Sequence, residues 1–159
     1  MSASVLFVCL GNICRSPLAE AALRAEAKKA GLDVHVDSAG TGDWHVGCAP
    51  DPRAQAVALR HGIDIGGYRG RQVKAADFRL FTHVFALDPD NLRDLRRIRP
   101  ADGTAHLCLL MDLVEGREGT GVTDPYHGDD AGFDITWDDV TRAARALVAD
   151  LRAGPRPPP

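Results

Sequence analysis

The sequence contains no long hydrophobic run and no strong excess of charge of one sign. No segment approaches the roughly 18 consecutive apolar residues that a membrane-spanning helix requires, and residues 1–4 lack the basic start and cleavage site of a signal peptide. The 19 basic and 22 acidic side chains give a net charge of −3, which argues against a basic stripe for nucleic acid or for a membrane surface. We therefore expect a cytoplasmic protein that binds neither nucleic acid nor a membrane.

Cysteine and histidine are also sparse, and neither follows a metal-binding pattern. The four cysteines lack a zinc-like pairing and the six histidines lack ligand spacing, so we expect no metal and no cofactor. Four cysteines in a cytoplasmic chain of 159 residues favour reduced thiols over a disulfide framework. The length is typical of one domain. We expect residues 1–153 to form it, followed by a flexible Pro-rich tail at 154–159.

Short apolar runs alternate with helical patterns along the chain. The runs that we predict as strands lie at 4–9, 34–38, 82–87 and 105–110. The predicted helices cover 17–30, 51–62, 88–98 and 134–152, and the second and third of them open with Asp-Pro. In the last helix one apolar stripe is predicted to face the core, and it consists of Val140, Ala144, Leu147 and Leu151. This alternation predicts an α/β fold with a parallel sheet that is covered by helices on both faces.

The most informative segment is the loop between the first predicted strand and the first predicted helix. It reads CLGNICR and places the Cys9 thiol and the Arg15 guanidinium at its two ends. Backbone N–H groups at the start of a helix lack partners, so they can bind an anion such as phosphate. Arg15 adds a charged donor that grips two oxygens at once. Gly11 and Asn12 tolerate the left-handed backbone that a loop around a central ligand needs.

This loop should also favour the thiolate form of Cys9. Ser16 and Pro17 suit the N-cap and the first residue of the following helix, so the positive end of the helix dipole should lie beneath the loop. The dipole, the loop amides and Arg15 then stabilise a thiolate, which is a nucleophile. The alternative is that Cys9 merely ends a buried strand and Arg15 is a surface charge. The strand before the loop and the helix after it favour the functional interpretation.

Residues 5–20, VLFVCLGNICRSPLAE, closely resemble the phosphate loop of the low-molecular-weight protein tyrosine phosphatases. Later motifs of that family follow in the same order: DSAGT at 37–41, Trp44, DPR at 51–53, NLRD at 91–94 and DPY at 124–126. The resemblance covers nearly the whole chain. It implies hydrolysis of phosphotyrosine in protein substrates through a cysteinyl-phosphate intermediate, and inhibition by phosphate-like oxyanions. We expect a flavodoxin-like or Rossmann-like sheet of four strands in the order 2-1-3-4, and a monomer, with a weak dimer as the alternative.

The resemblance assigns the chemistry to three residues. Cys9 would attack phosphorus, Arg15 would bind its oxygens, and Asp124 would protonate the leaving phenol and later activate water. From the residues alone a turn is the commoner explanation of Asp124, because Asp-Pro is a frequent turn signal. The phosphate contacts would come from the loop and the first helical turn: Leu10, Gly11, Asn12, Ile13, Cys14, Arg15 and Ser16.

The resemblance also assigns residues that would contact the substrate ring and residues that would stabilise the phosphate loop. Trp44 and Tyr126 would form the aromatic sides of a substrate slot, whereas ordinary half-buried packing is the alternative that the residues alone allow. Asn12, Ser16 and Ser38 would hydrogen-bond across the base of the loop and hold its shape.

Two positions near these motifs are left open by the sequence. Cys14 either packs behind the loop or forms a reversible disulfide with Cys9 under oxidant. His127 stands where many relatives carry a second tyrosine, so regulation through phosphorylation of a tyrosine pair is in doubt.

Three competing functions share part of this pattern. Arginine phosphatases of the same fold tend to carry threonine at the position of Ile13, so Ile13 favours phosphotyrosine. Arsenate reductases on this scaffold need further cysteines on a mobile segment, whereas Cys108 lies in a predicted strand and Cys48 lacks a suitable partner. A non-catalytic phosphate-binding module would need neither Cys9 nor Asp124, and both are present.

Overall fold

The computed structural model describes residues 2–154. Its strands are β1 (Ala3–Cys9), β2 (Val34–Gly40), β3 (His83–Ala86) and β4 (His106–Leu109). Its helices are α1 (Arg15–Ala30), α2 (Pro52–Arg60), α3 (Asp77–Leu80), α4 (Pro89–Ile98) and α5 (Asp130–Ala153), and a 3₁₀ turn follows β4 at Leu110–Leu113. None of the helices in this described part of the chain has both the length and the apolar character needed to cross a membrane.

The four strands form one parallel sheet in the order β2-β1-β3-β4. In register, Cys9 at the end of β1 lies opposite Gly40 of β2, and Val8 lies opposite Ala86 of β3. The predicted parallel sheet and its order 2-1-3-4 are therefore confirmed.

The side chains of β1 alternate between two apolar layers, as the period of a strand requires. Val5 and Phe7 face one layer, whereas Leu6 and Val8 face the other, and all four are buried. The first layer is completed by α1, α2 and α5, among others through Leu18, Val57, Phe133 and Leu147. The second layer is completed by α3 and α4 through Phe78 and Leu95. Helices thus cover both faces of the sheet, as predicted, and the burial of these large side chains fixes the sheet between them.

The helix boundaries differ from the prediction in an informative way. Helix α1 begins at Arg15, not after Ser16, and no side chain in residues 2–154 caps its N-terminus at Cys14. The expectation that Ser16 is the N-cap is therefore wrong: Ser16 lies in the first turn and its hydroxyl contacts Cys9 Sγ. Helix α5 starts at Asp130, four residues earlier than predicted, and the four-residue α3 was not predicted.

The Asp-Pro helix starts are confirmed. Asp51 accepts a hydrogen bond from the Arg53 N–H at the start of α2, and Asp88 accepts one from the Asn91 N–H at the start of α4. The apolar stripe of α5 also faces the core, with Leu147 buried and Leu151 packed at its edge. The predicted tail at 154–159 lies outside the described residues, except for Gly154.

Candidate active site

The loop after β1 forms one wall of a cavity of about 170 Å³ at the carboxyl edge of the sheet. Carboxyl ends of neighbouring parallel strands meet at this edge, which is where open α/β sheets bind ligands. The cavity brings together the loop, the proposed acid Asp124 and both predicted aromatic residues, Trp44 and Tyr126. His45 and His127 line it too, although the sequence pattern did not place them there.

Cys9 is buried at the end of β1, and its sulfur receives two polar contacts. The Asn12 N–H donates to Cys9 Sγ over 3.3 Å, and the Ser16 hydroxyl lies 3.0 Å from the same sulfur. Ser16 Oγ accepts from Asn12 Nδ2 at 2.8 Å, and its one hydrogen can point either at the sulfur or at the Ala39 carbonyl, which lies 3.4 Å away. Of the two groups, only the Asn12 N–H is a donor in every arrangement.

Asn12 adopts the left-handed backbone conformation that the sequence predicted for this loop, with φ 58°. Its side-chain amide donates to Ser16 Oγ at 2.8 Å and to Ser38 Oγ at 3.0 Å. The side-chain carbonyl oxygen of Asn12, Oδ1, accepts from the Arg71 backbone N–H at 3.0 Å. The Asn12 side chain is therefore held by three hydrogen bonds at the centre of the loop, two of which lead to the residues that we expected to support it.

The network continues behind the loop to a buried acid that sequence reasoning missed. Ser38 Oγ donates to Glu20 Oε1 at 2.8 Å, and Arg24 donates to Glu20 Oε2 at 2.8 Å. Burial raises the pKa of Glu20, although the hydrogen bonds from Ser38 and Arg24 oppose the shift. Glu20 and Ser16 lie one turn apart on the same face of α1. This spacing is the sequence signal that could have placed Glu20 beside the support of the loop.

Arg15 is almost fully buried, and the protein fixes one end of its guanidinium. Nη1 donates to Asp88 Oδ2 at 2.6 Å and to the Val122 carbonyl at 3.0 Å. Burial opposes the charged form, but the negative charges of Cys9 and Asp88 outweigh it and raise the pKa of Arg15. Nη2 lies 3.7 Å from Asp124 Oδ2. Arg15 is thus a buried cation that is fixed by Asp88 and lies near the Asp124 carboxylate.

Asp88 was predicted only as a helix start, and its contact with Arg15 was missed. The residue lies two positions after the end of β3, and β3 is the neighbour of β1 in the sheet. The carboxyl ends of the two strands bring Asp88 and Cys9 to the same edge. A sequence-based search for acids that follow the strand next to β1 would have found it.

Asp124 lies in the loop that connects the 3₁₀ turn to α5. Its side chain is 44% exposed, and its Oδ1 accepts from the Tyr126 N–H at 3.1 Å. The carboxyl group lines the same cavity as Cys9. It is therefore open to solvent and placed to exchange a proton with a molecule bound in the cavity.

Trp44 and Tyr126 stand at the mouth of the cavity with 68% and 41% of their surface exposed. The exposure of Trp44 exceeds that of half-buried packing, whereas that of Tyr126, whose ring centre lies 4.9 Å from that of His127, is compatible with it. The Trp44 indole packs directly on Gly42. A Cβ added to Gly42 would lie 2.0 Å from the ring and would clash with it. Only glycine at position 42 permits this position of the indole.

The cysteines are free in the described residues. Cys14 is buried beside the loop, and burial raises its pKa, with the nearby Asp51 acting in the same direction. Burial also raises the pKa of Cys108 in β4 to about 11. Cys48 is exposed in a loop. Within residues 2–154, no cluster of His, Cys, Asp or Glu could hold a metal ion.

Comparison with known proteins identifies the family. A model of the low molecular weight phosphotyrosine protein phosphatases matches residues 4–156. The low molecular weight phosphotyrosine protein phosphatase of Schizosaccharomyces pombe is 45% identical over 132 residues, which cover 81% of this chain and 84% of that protein. The crystal structure of YfkJ from Bacillus subtilis has a TM-score of 0.90 and 37% identity, and the match covers 98% of each chain.

A related structure carries a different activity in its name. The crystal structure of a Drosophila arginine phosphatase is 33% identical, with a TM-score of 0.89, and the match covers 95% of this chain and 99% of that one. The family model spans nearly the whole chain and agrees with the phosphate loop and the later motifs read from the sequence. The chain therefore belongs to the low molecular weight phosphotyrosine protein phosphatase family.

Proposed function

We propose that this phosphatase hydrolyses phosphotyrosine in proteins with Cys9 as nucleophile, Arg15 as phosphate ligand and Asp124 as general acid and base. The observation that carries the proposal is the position of Arg15, whose Nη2 lies 3.7 Å from Asp124 in the cavity that Cys9 also lines. A phosphoryl group held by Arg15 would have the sulfur on one side and the carboxyl group on the other.

In the first step, Cys9 Sγ attacks phosphorus and a sulfur–phosphorus bond forms. The bond from phosphorus to the phenolic oxygen breaks, and Asp124 gives its proton to that oxygen, so that the phenol leaves neutral. The loop N–H groups and Arg15 stabilise the charge on the three remaining oxygens. The contact from the Asn12 N–H to the sulfur supports its role as a thiolate.

In the second step, the Asp124 carboxylate takes a proton from water and the water oxygen attacks phosphorus. The sulfur–phosphorus bond breaks, the thiolate is restored and phosphate leaves. No step calls on a metal or a cofactor. Phosphate-like oxyanions would occupy the same cradle and act as competitive inhibitors.

The exposed aromatic rings support an aryl phosphate as the substrate. Trp44 and Tyr126 stand at the cavity mouth, where a flat phenyl ring can stack between them. The similarity to a Drosophila arginine phosphatase makes phosphoarginine the relevant competitor. We also propose a cytoplasmic enzyme that acts as a monomer. Its free cysteines suit a reducing compartment.

The test compares kcat/KM for phosphotyrosine and phosphoarginine peptides, measured without added metal and with or without vanadate. We expect phosphotyrosine to be preferred, vanadate to inhibit competitively, and Cys9→Ser to abolish turnover. A preference for phosphoarginine would overturn the substrate assignment, whereas near wild-type turnover by Cys9→Ser would overturn the mechanism.

A further inference from the structure

Arg53 contacts both an acid at the start of α2 and the loop that carries Asp124. Its Nε donates to Asp51 Oδ1 at 3.1 Å and its Nη2 donates to Asp51 Oδ2 at 3.0 Å. Asp51 itself caps α2 by accepting the Arg53 N–H. The hydrogen bonds from Arg53 outweigh the effect of burial and lower the pKa of Asp51. A two-point ion pair on a helix terminus therefore fixes the direction of the guanidinium.

The outer N–H groups of Arg53 bind the backbone of the acid loop. Nη2 donates to the Tyr126 carbonyl at 2.8 Å, and Nη1 donates to the Gly128 carbonyl at 3.0 Å. The guanidinium also lies 4.6 Å from the centre of the Phe133 ring and 5.8 Å from that of Tyr126. Arg53 thus holds the loop at two points, both within four residues after Asp124.

The chain before Asp124 is held by other contacts. The Val122 N–H donates to the Leu87 carbonyl at 2.8 Å, next to the end of β3. The Thr136 hydroxyl of α5, which also lies 3.1 Å from the Gly132 carbonyl, contacts the Thr123 carbonyl at 3.5 Å. The carboxyl-bearing residue therefore lies between an anchor on the sheet side and the Arg53 anchor on the α2 side.

The segment at the start of α2 also contacts the phosphate loop. The Asp51 N–H donates to the Ile13 carbonyl at 2.8 Å. Asp51 and Arg53 therefore connect the loop that holds Cys9 and Arg15 with the loop that holds Asp124.

We propose that Arg53 is a positioning residue for the general acid: it holds the 124–128 loop so that the Asp124 carboxyl reaches the leaving oxygen. This inference rests on the proposed role of Asp124. Lysine could not replace Arg53, because one ammonium group cannot bind a carboxylate at two points and two separate carbonyls. Loss of the hydrogen bonds from Arg53 to the 124–128 loop should weaken proton transfer from Asp124 and leave phosphate binding by Arg15 intact.

The experiment measures kcat/KM of Arg53→Met and Arg53→Lys with a series of aryl phosphates whose leaving groups differ in basicity. This constant includes the step that breaks the phosphorus–oxygen bond and excludes hydrolysis of the intermediate. We expect a loss of about 10-fold or more with phenyl phosphate, part of the 10²–10⁴ range for a general acid, and little change with p-nitrophenyl phosphate, whose leaving group needs no proton. Competitive inhibition by vanadate should be unchanged.

A double-mutant cycle separates positioning from a general structural role. In an Asp124→Ala background, Arg53→Met should cause no further loss with phenyl phosphate. An equal loss in both backgrounds, an equal loss with all leaving groups, or no loss at all would overturn the inference. If Arg53→Met does not fold, Arg53→Lys gives the same test, since it keeps the charge and most of the stem.

The matched control is Arg60→Met in the same helix. Arg60 pairs with Asp134 on the surface of α5 at 2.6 Å. We therefore expect Arg60→Met to cause no loss of kcat/KM that depends on the leaving group. The two proposals can also fail separately. If Asp124→Ala shows no leaving-group-dependent loss, the role of Asp124 is wrong; if only the Arg53 variants show none, the positioning role alone is wrong.

Discussion

Arg15 Nη1 lies 2.6 Å from Asp88 Oδ2, so the buried guanidinium beside the CLGNICR loop is held by the residue that caps α4. The same carboxylate uses its other oxygen to accept the Asn91 N–H at 2.7 Å. One side chain therefore caps a helix and orients the buried guanidinium. Because β1 and β3 are neighbours in the sheet, this contact ties the site to the two central strands.

Removal of Asp88 should be costly for stability. Asp88→Ala leaves the buried Arg15 with only the 3.7 Å contact to the partly exposed Asp124, and we expect the free energy of unfolding to fall by about 3 kcal/mol, with about 1 kcal/mol more from the lost cap. Urea unfolding measures the sum of these two losses. In addition, kcat/KM should fall, because Arg15 loses the contact that orients it. As a control, Asp102→Ala breaks the exposed pair with Arg79 and should cost less than about 1 kcal/mol. Similar losses in the two variants would contradict the account.

Two substitutions at Asn12 should separate its backbone conformation from its hydrogen bonds. Both Asn12→Gly and Asn12→Ala lose the contacts to Ser16, Ser38 and the Arg71 N–H, so both should lower kcat/KM. Only alanine also places a Cβ at a φ of 58°, which costs about 1 kcal/mol more in unfolding free energy. Urea unfolding and steady-state kinetics of the two variants test this. Equal stability of both would show that the left-handed conformation is not maintained by the loop.

The Asp51 carboxylate should make the enzyme less stable in acid. Hydrogen bonds from Arg53 outweigh burial and lower the pKa of Asp51 below its ordinary value of 3.8. A lowered pKa in the folded state gives stability that is present above the unfolded value and is lost as the pH falls through the folded value. Asp51→Asn should therefore lose less unfolding free energy than wild type between about pH 5 and pH 2. Parallel pH profiles of urea unfolding for the two proteins would contradict this.

Much of the fold could be predicted because its signals are local. Apolar runs, Asp-Pro helix starts and the CLGNICR loop each lie within a few residues of chain. The start of α1 was misplaced because Ser16 matches the pattern of a cap, yet its hydroxyl contacts Cys9 Sγ. The four residues of α3 are too few for a periodic pattern to emerge.

The supporting contacts were missed because they join residues far apart in the chain. Arg15 and Asp88 are separated by 73 residues, as are Arg53 and Tyr126. Asp88 and Asp51 each have a local explanation as helix caps, which gave no reason to look for a second partner. The His45 ring lies close to the backbone of Gly11, where an added Cβ would come within 3.2 Å of it, and no sequence spacing encodes this contact.

The central claim is that Cys9 carries the phosphoryl group between the two steps. The direct measurement is mass spectrometry of acid-quenched Asp124→Ala enzyme during turnover of p-nitrophenyl phosphate, because that variant lacks the base for hydrolysis and the substrate needs no acid. We predict one phosphoryl group on the peptide that contains Cys9, and none when Cys9→Ser is added. A phosphoryl group on another residue, or its persistence after Cys9→Ser, would contradict the account.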